Sequence, residues 1–168
     1  SPRTNFACIT GGGSGGRLTA TGGQPGTGGA TATGGGTSTA ATGGPSKSTG
    51  CGSAEGLKSG RASSDVSGSA REYILKMPAG YDGSKPYMLI FGFHARGGNA
   101  SQVAGSGNDN YYGLAARAGD KAIFVAPEGL DAGWRNSDGR DIVFVKAMLA
   151  YFNSKLCIDQ QRIFSTGF

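Results

Sequence analysis

The chain has 168 residues, a formal charge of +5 and a pI near 9.3, and neither charge nor composition is spread evenly along it. Residues 1–50 hold 16 of the 33 glycines, a single aromatic, Phe6, and three basic residues with no acid, whereas residues 51–168 carry 13 Lys and Arg against 11 Asp and Glu. The part with enough aromatic residues to build a core is thus nearly neutral and has no basic run, which excludes a nucleic-acid interface, and no apolar stretch is long enough for a membrane span or a signal segment.

The first 50 residues, with runs such as "GTGGATATGGGTSTAATGG", have too little apolar surface to offset the entropy of ordering them and read as a disordered Gly/Thr/Ser-rich linker. "GGPSKS" at 43–48 has a Lys-Ser pair but neither the preceding glycine nor the preceding strand of a phosphate loop. "NFAC" at 5–8 lacks the apolar run of a lipidation site. The folded part is expected over 51–168.

Within it, "REYILKM" (71–77) alternates, with Tyr73, Leu75 and Met77 on one side, and stops at Pro78; it reads as a strand. "YMLIFGF" (87–93) is continuously apolar, as a strand buried on both faces is, and runs directly into His94. A Gly/Asn/Ser-rich loop at 97–110 follows; its "NAS" at 99–101 fits a glycosylation sequon. "YYGLAARAG" then reads as a short helix closed by Gly119, and "AIFVAP" (122–127) as another buried strand.

The loop "EGLDAGWRNSDGR" holds the only tryptophan, Trp134. From Asp141 onward Val145, Met148, Leu149, Phe152 and Leu156 recur at helical spacing, with Asp138 as the expected cap, and "CIDQQ" leads into a strand at 162–166. Strands alternating with helices at this spacing predict an α/β fold with a mostly parallel sheet and an antiparallel strand at 71–77. The site is then expected at the carboxyl ends of the strands.

Three cysteines, Cys8, Cys51 and Cys157, and one histidine cannot make the usual zinc sets. Cys51 opens the folded part and Cys157 follows the helix, a placement that suits a disulfide in an exported protein and equally a buried free thiol; Cys8 has no evident partner.

Two strand ends carry chemistry. In "FGFHARGG" a His followed by small residues leaves a strand, an arrangement in which backbone N–H groups can approach a developing oxyanion. In "RIFSTGF" a strand runs into Gly167 and Phe168, as the first glycine and the variable residue of a G-x-S-x-G nucleophile elbow do; serine would be the next residue.

"CGSAEGLKSG", "REYILKMPAGYD", "PYMLIFGFHARGG", "YYGLAARAGDKAIFVAPEGLDAGWRN", "RDIVFVKAMLAYFNSKLCID" and "RIFSTGF" resemble, in order, the N-terminal half of secreted feruloyl esterases of the polyhydroxybutyrate-depolymerase-like group, which are α/β-hydrolases of the carbohydrate esterase type. The resemblance covers about 51–168. It implies half an α/β-hydrolase sheet with helices on both faces, and a secreted serine esterase acting on hydroxycinnamate esters of plant cell-wall polysaccharide without metal or organic cofactor. Polyhydroxybutyrate depolymerase and acetyl xylan esterase share the scaffold, and a non-catalytic carbohydrate-binding protein is the alternative of another class.

By the same resemblance His94, Ala95 and Arg96 form the oxyanion loop, Gly167 and Phe168 the approach to the elbow, and Trp134 and Asn136 belong to a loop near the cleft, where the tryptophan either lines the site or anchors the loop to the core. Asp141 has a structural role. His-Ala-Arg replaces the family's His-Gly or His-Trp, and Lys146 replaces a common acid. Because triads of this fold run Ser, acid, His, the base lies downstream of the nucleophile and is not His94. The 168 residues alone are expected to be inactive and to fold poorly, with the strand at 162–166 lacking its downstream neighbours. Nothing in the sequence speaks to oligomeric state.

Overall fold

The computed structural model describes residues 44–53 and 56–168, together with the backbone of 3–5. The linker expected at 1–50 lies for the most part outside the described residues, as does Cys8.

A short strand β1 (Arg3–Asn5) pairs in parallel with β2 (Gly60–Val66), which turns back through Ser67 and Gly68 into β3 (Ser69–Lys76). Both turn residues have positive φ, 53° and 79°, the geometry that lets a two-residue hairpin follow the twist of its strands. β4 (Tyr87–Phe93) precedes two short helices, α1 (Ala100–Ala104) and α2 (Leu114–Ala118). β5 (Ala122–Pro127), the long helix α3 (Arg140–Lys155) and β6 (Ile158–Gly167) complete the chain.

The strand order is β1-β2-β3-β5-β4-β6. β3 is antiparallel to both β2 and β5, while β5, β4 and β6 are mutually parallel, so the sheet is mixed. The antiparallel strand expected at 71–77 is β3; β2 was not anticipated, and its pairing makes the sheet less parallel than the sequence reading had it.

Alternate residues of β4 and β5 divide between two cores. Leu89, Phe91, Ile123 and Val125 meet Phe144, Met148 and Phe152 of α3 on one face, with Tyr73 edge-on to Phe152 at 5.4 Å. Ile90, Phe124 and Ala126 meet Ala100, Val103, Tyr111 and Ala115 on the other. Full burial of both faces is what the unbroken apolar runs of these strands require. Gly92 allows the second face to close, since a Cβ there would lie 2.7 Å from Val103 and 3.2 Å from Tyr111.

The bonded structure begins before residue 51. Ser48 is buried; its N–H donates to the Ile158 carbonyl at 2.9 Å, and its hydroxyl donates to the Leu156 carbonyl and accepts from the Ile158 N–H. Cys51 and Cys157 form a disulfide that ties this segment to the start of β6. Of the two states the sequence allowed for these cysteines, the bonded one is present. No helix among the described residues is long and apolar enough to cross a membrane.

Candidate active site

The parallel strands β4 and β6 end side by side, Phe93 opposite Gly167. A Cβ on Gly167 would lie 2.9 Å from the Phe93 carbonyl oxygen and 3.1 Å from its Cβ, so only glycine lets the two strand ends approach this closely. The chain leaving β4 and the chain leaving β6 then share one hollow of about 180 Å³, lined by His94, Ala95, Gln102, Val103, Tyr112 and Phe168. The structure thus brings together the two strand ends singled out in the sequence.

His94 is 2% exposed, and its bonds fix its tautomer. Nε2 accepts from the Gly129 N–H at 2.9 Å, so the proton is on Nδ1, which donates to the Ala95 carbonyl at 2.8 Å. That carbonyl also accepts from the Gly98 N–H at 2.9 Å, and the Gly97 N–H donates to the Ala132 carbonyl. Because the Ala95 oxygen is held on the ring side, the Arg96 N–H, on the opposite edge of the same peptide plane, points away from the imidazole. Neither the Ala95 nor the Arg96 N–H finds an acceptor among the described residues. Two unengaged donors beside a strand end can stabilise negative charge. The Arg96 side chain is exposed.

Trp134 and Asn136 lie behind this loop. The indole Nε1–H donates to the His94 carbonyl at 3.0 Å, and its ring sits 5.0 Å from those of both His94 and Phe93. Both residues line a separate, larger apolar groove of about 700 Å³ between α3 and β6. Asn136 caps α3: its Oδ1 accepts from the Asp141 and Ile142 N–H groups, and its own N–H donates to Asp141 Oδ2. Asp138 does not supply the expected cap, because it sits at φ 55° in a preceding turn and makes no cap bond.

Asp141 is buried and paired with Arg71 of β3 at 2.8 Å, the Arg71 guanidinium lying 4.1 Å from the centroid of the Phe144 ring. The pair ties the start of α3, and through Asn136 the tryptophan loop, to the middle of the sheet. The structural role assigned to Asp141 is this one.

Three participants were missed in the sequence. Arg71 shares the inward parity of Tyr73 and Leu75, which is the signal in the sequence for its burial. Glu128 links the layers: its carboxylate accepts from the Ala100 N–H at 3.0 Å and stands 3.6 Å from His94 Nε2. Tyr112 was read as part of a helix, but Tyr111, Tyr112 and Gly113 all have positive φ, and the helix begins at Leu114.

No protein-family model matches the chain. It is 49% identical over 122 residues to feruloyl esterase C of Emericella nidulans, covering 72% of this chain and 44% of that protein. It is 36% identical over 129 residues to feruloyl esterase D of Neurospora crassa, again covering 72% and 44%. Among solved structures, a ferulic acid esterase superposes with a TM-score of 0.53 at 20% identity, over 66% of this chain and 49% of its own, which shows a shared fold. The chain spans a little under half the length of the curated relatives it matches.

Proposed function

We propose that this feruloyl esterase-like chain is the N-terminal part of a secreted serine esterase that releases hydroxycinnamic acids from plant cell-wall polysaccharide. In this reading the sheet is the first half of an α/β-hydrolase sheet, and a serine directly follows Phe168 on the turn after β6. Its hydroxyl attacks the ester carbonyl, the alcohol leaves, and water hydrolyses the acyl-enzyme. The Ala95 or Arg96 N–H supplies one oxyanion donor, and the N–H of the residue after the serine supplies the other. The acid and base belong to sequence further on, and no metal or organic cofactor enters the reaction. The Cys51–Cys157 bond suits an oxidising, extracellular setting.

The observation that carries this reading is the convergence of the His94–Arg96 loop and Phe168 on one hollow, with free amides on one side and the glycine-gated strand end on the other. The test is hydrolysis by the complete gene product of methyl ferulate, hydroxybutyrate oligomers and acetylated xylan. Preferred turnover of methyl ferulate supports the reading; preference for either other substrate reassigns the esterase, and xylan binding without turnover reassigns the protein to a binding class. The 168-residue chain alone is expected to hydrolyse none of them, and turnover by it would overturn the placement of the nucleophile after Phe168.

A further inference from the structure

Tyr112 stands where the site needs a wall. The residue is 42% exposed, an unusual amount for an aromatic beside a buried strand end, and it lines the hollow together with His94 and Ala95. Its hydroxyl donates to the Phe93 carbonyl, the oxygen against which Gly167 packs. One tyrosine therefore touches the last residue of β4 at the point where the end of β6 comes closest.

The backbone that holds it there is strained. Tyr111 and Tyr112 have φ of 51° and 59°, a region that bulky residues avoid. Neighbouring packing enforces it: Tyr111 is fully buried, its ring 4.8 Å from that of Phe124, and its N–H donates to the Val103 carbonyl at 2.7 Å. The core thus clamps Tyr111 and holds the next residue outward over the hollow. Strain of this kind persists where the surroundings over-determine it, and it clusters at sites that bind or react.

We propose that Tyr112 is a specificity-determining residue that packs its ring against the aromatic acyl group of the ester, an inference that rests on the esterase reading given above. At about 180 Å³ the hollow is smaller than pockets that enclose whole ligands, roughly 300–1,000 Å³. Its size suits a terminal ring-sized group better than a polysaccharide, which continues in both directions from its ester. The acyl side of the substrate is the terminal one. An aromatic wall selects a flat aromatic acyl group over an aliphatic one through ring contacts beyond simple area burial.

The experiment uses the complete gene product and two esters of one alcohol, methyl ferulate and methyl butyrate, so that only the acyl group changes. Tyr112→Asn keeps a residue tolerant of positive φ and removes the ring; Tyr112→Phe keeps the ring and removes the bond to Phe93. The ratio of kcat/KM for ferulate over butyrate is expected to fall about tenfold in Tyr112→Asn and to stay within about twofold of wild type in Tyr112→Phe. A loss of fold or of catalytic geometry lowers both substrates and cancels in the ratio. If the asparagine variant is too damaged to assay, Tyr112→Gly, which adopts positive φ without strain, is read the same way. An unchanged ratio in an enzyme active on methyl ferulate overturns this inference alone. A wild-type protein inactive on both esters overturns the esterase reading and this inference with it.

Discussion

β5 and β6 flank the same strand, run in the same direction and each carry an Ile-Phe pair, in "AIFVAP" and "RIFSTG", yet one is wholly buried and the other mostly exposed. β5 has α1 and α2 over one face and α3 over the other, with β3 and β4 at its edges. β6 has β4 along one edge and, on the other, only the 46–48 segment bonded to its first residues, and between it and α3 runs the apolar groove in which Phe164 is 49% exposed beside Ile142, Val145 and Leu149. An apolar pattern makes a strand, but its burial depends on what the rest of the chain lays over it.

The contrast can be broken most strongly by truncating an aromatic on each strand. Phe124→Ala removes a fully buried ring and is expected to cost about 3–5 kcal/mol; Phe164→Ala should change the stability of the 168-residue chain by no more than about 0.5 kcal/mol. Urea denaturation of both variants, in this chain and in the complete gene product, sharpens the comparison. A cost at Phe164 that rises toward that at Phe124 in the longer protein would mean that the groove is covered there; equal costs in the short chain would mean that β6 is not the open edge described.

The closed side also holds a buried ion pair, and breaking it tests how far α3 depends on β3. Arg71→Ala leaves Asp141 buried without its cation and is expected to cost about 3–5 kcal/mol, measured in the same way. A loss near 1 kcal/mol would show that water or Asn136 compensates the carboxylate. A smaller effect is expected at the junction of the two sides. Trp134→Phe keeps ring packing against Phe93 and loses the bond to the His94 carbonyl, worth about 1 kcal/mol, read as a modest drop in thermal midpoint.

The same contrast explains what could be read in advance. β4, β5 and α3 were legible because long apolar runs and a helical period announce them, and the end of β6 because Ile163 and Phe164 run into Gly167. β2 was not, because "GRASSDV" offers one large apolar residue, Val66, and exists as a strand through its pairing with β3. α1 has five residues, too few to show a period, and is held by a capping box in which Asn99 and Gln102 accept each other's N–H groups. Of the site, His94 and the Gly167–Phe168 end were visible as motifs leaving strands. Tyr112 was not, because a left-handed conformation at a non-glycine residue is imposed by tertiary packing and leaves no local mark.

Acid and base should attack the two sides differently. On the closed side, burial is the main cause that pushes the Tyr73 phenol from 10.0 up to about 12, with Tyr151 adding to the rise and Ser64 opposing it. A raised pKa means that the folded state favours the neutral phenol, so this contribution to stability is complete below pH 10 and is lost as pH rises through about 12. At the open edge, the hydrogen bond from Arg162 is the largest of the causes that hold the Asp159 carboxyl below its ordinary value of 3.8. Its contribution is present above that value and disappears as pH falls through the lower, folded pKa. Ultraviolet titration should therefore find a phenol that ionises only near pH 12, and Tyr73→Phe should remove that step and reduce the loss of stability above pH 10, the part that remains belonging to Tyr111, whose phenol burial pushes up further. Arg162→Ala should leave the alkaline limb alone and flatten the acid one. A variant that moved the other strand's limb would show that the covered and open sides titrate as one unit and that the division between them has no energetic meaning.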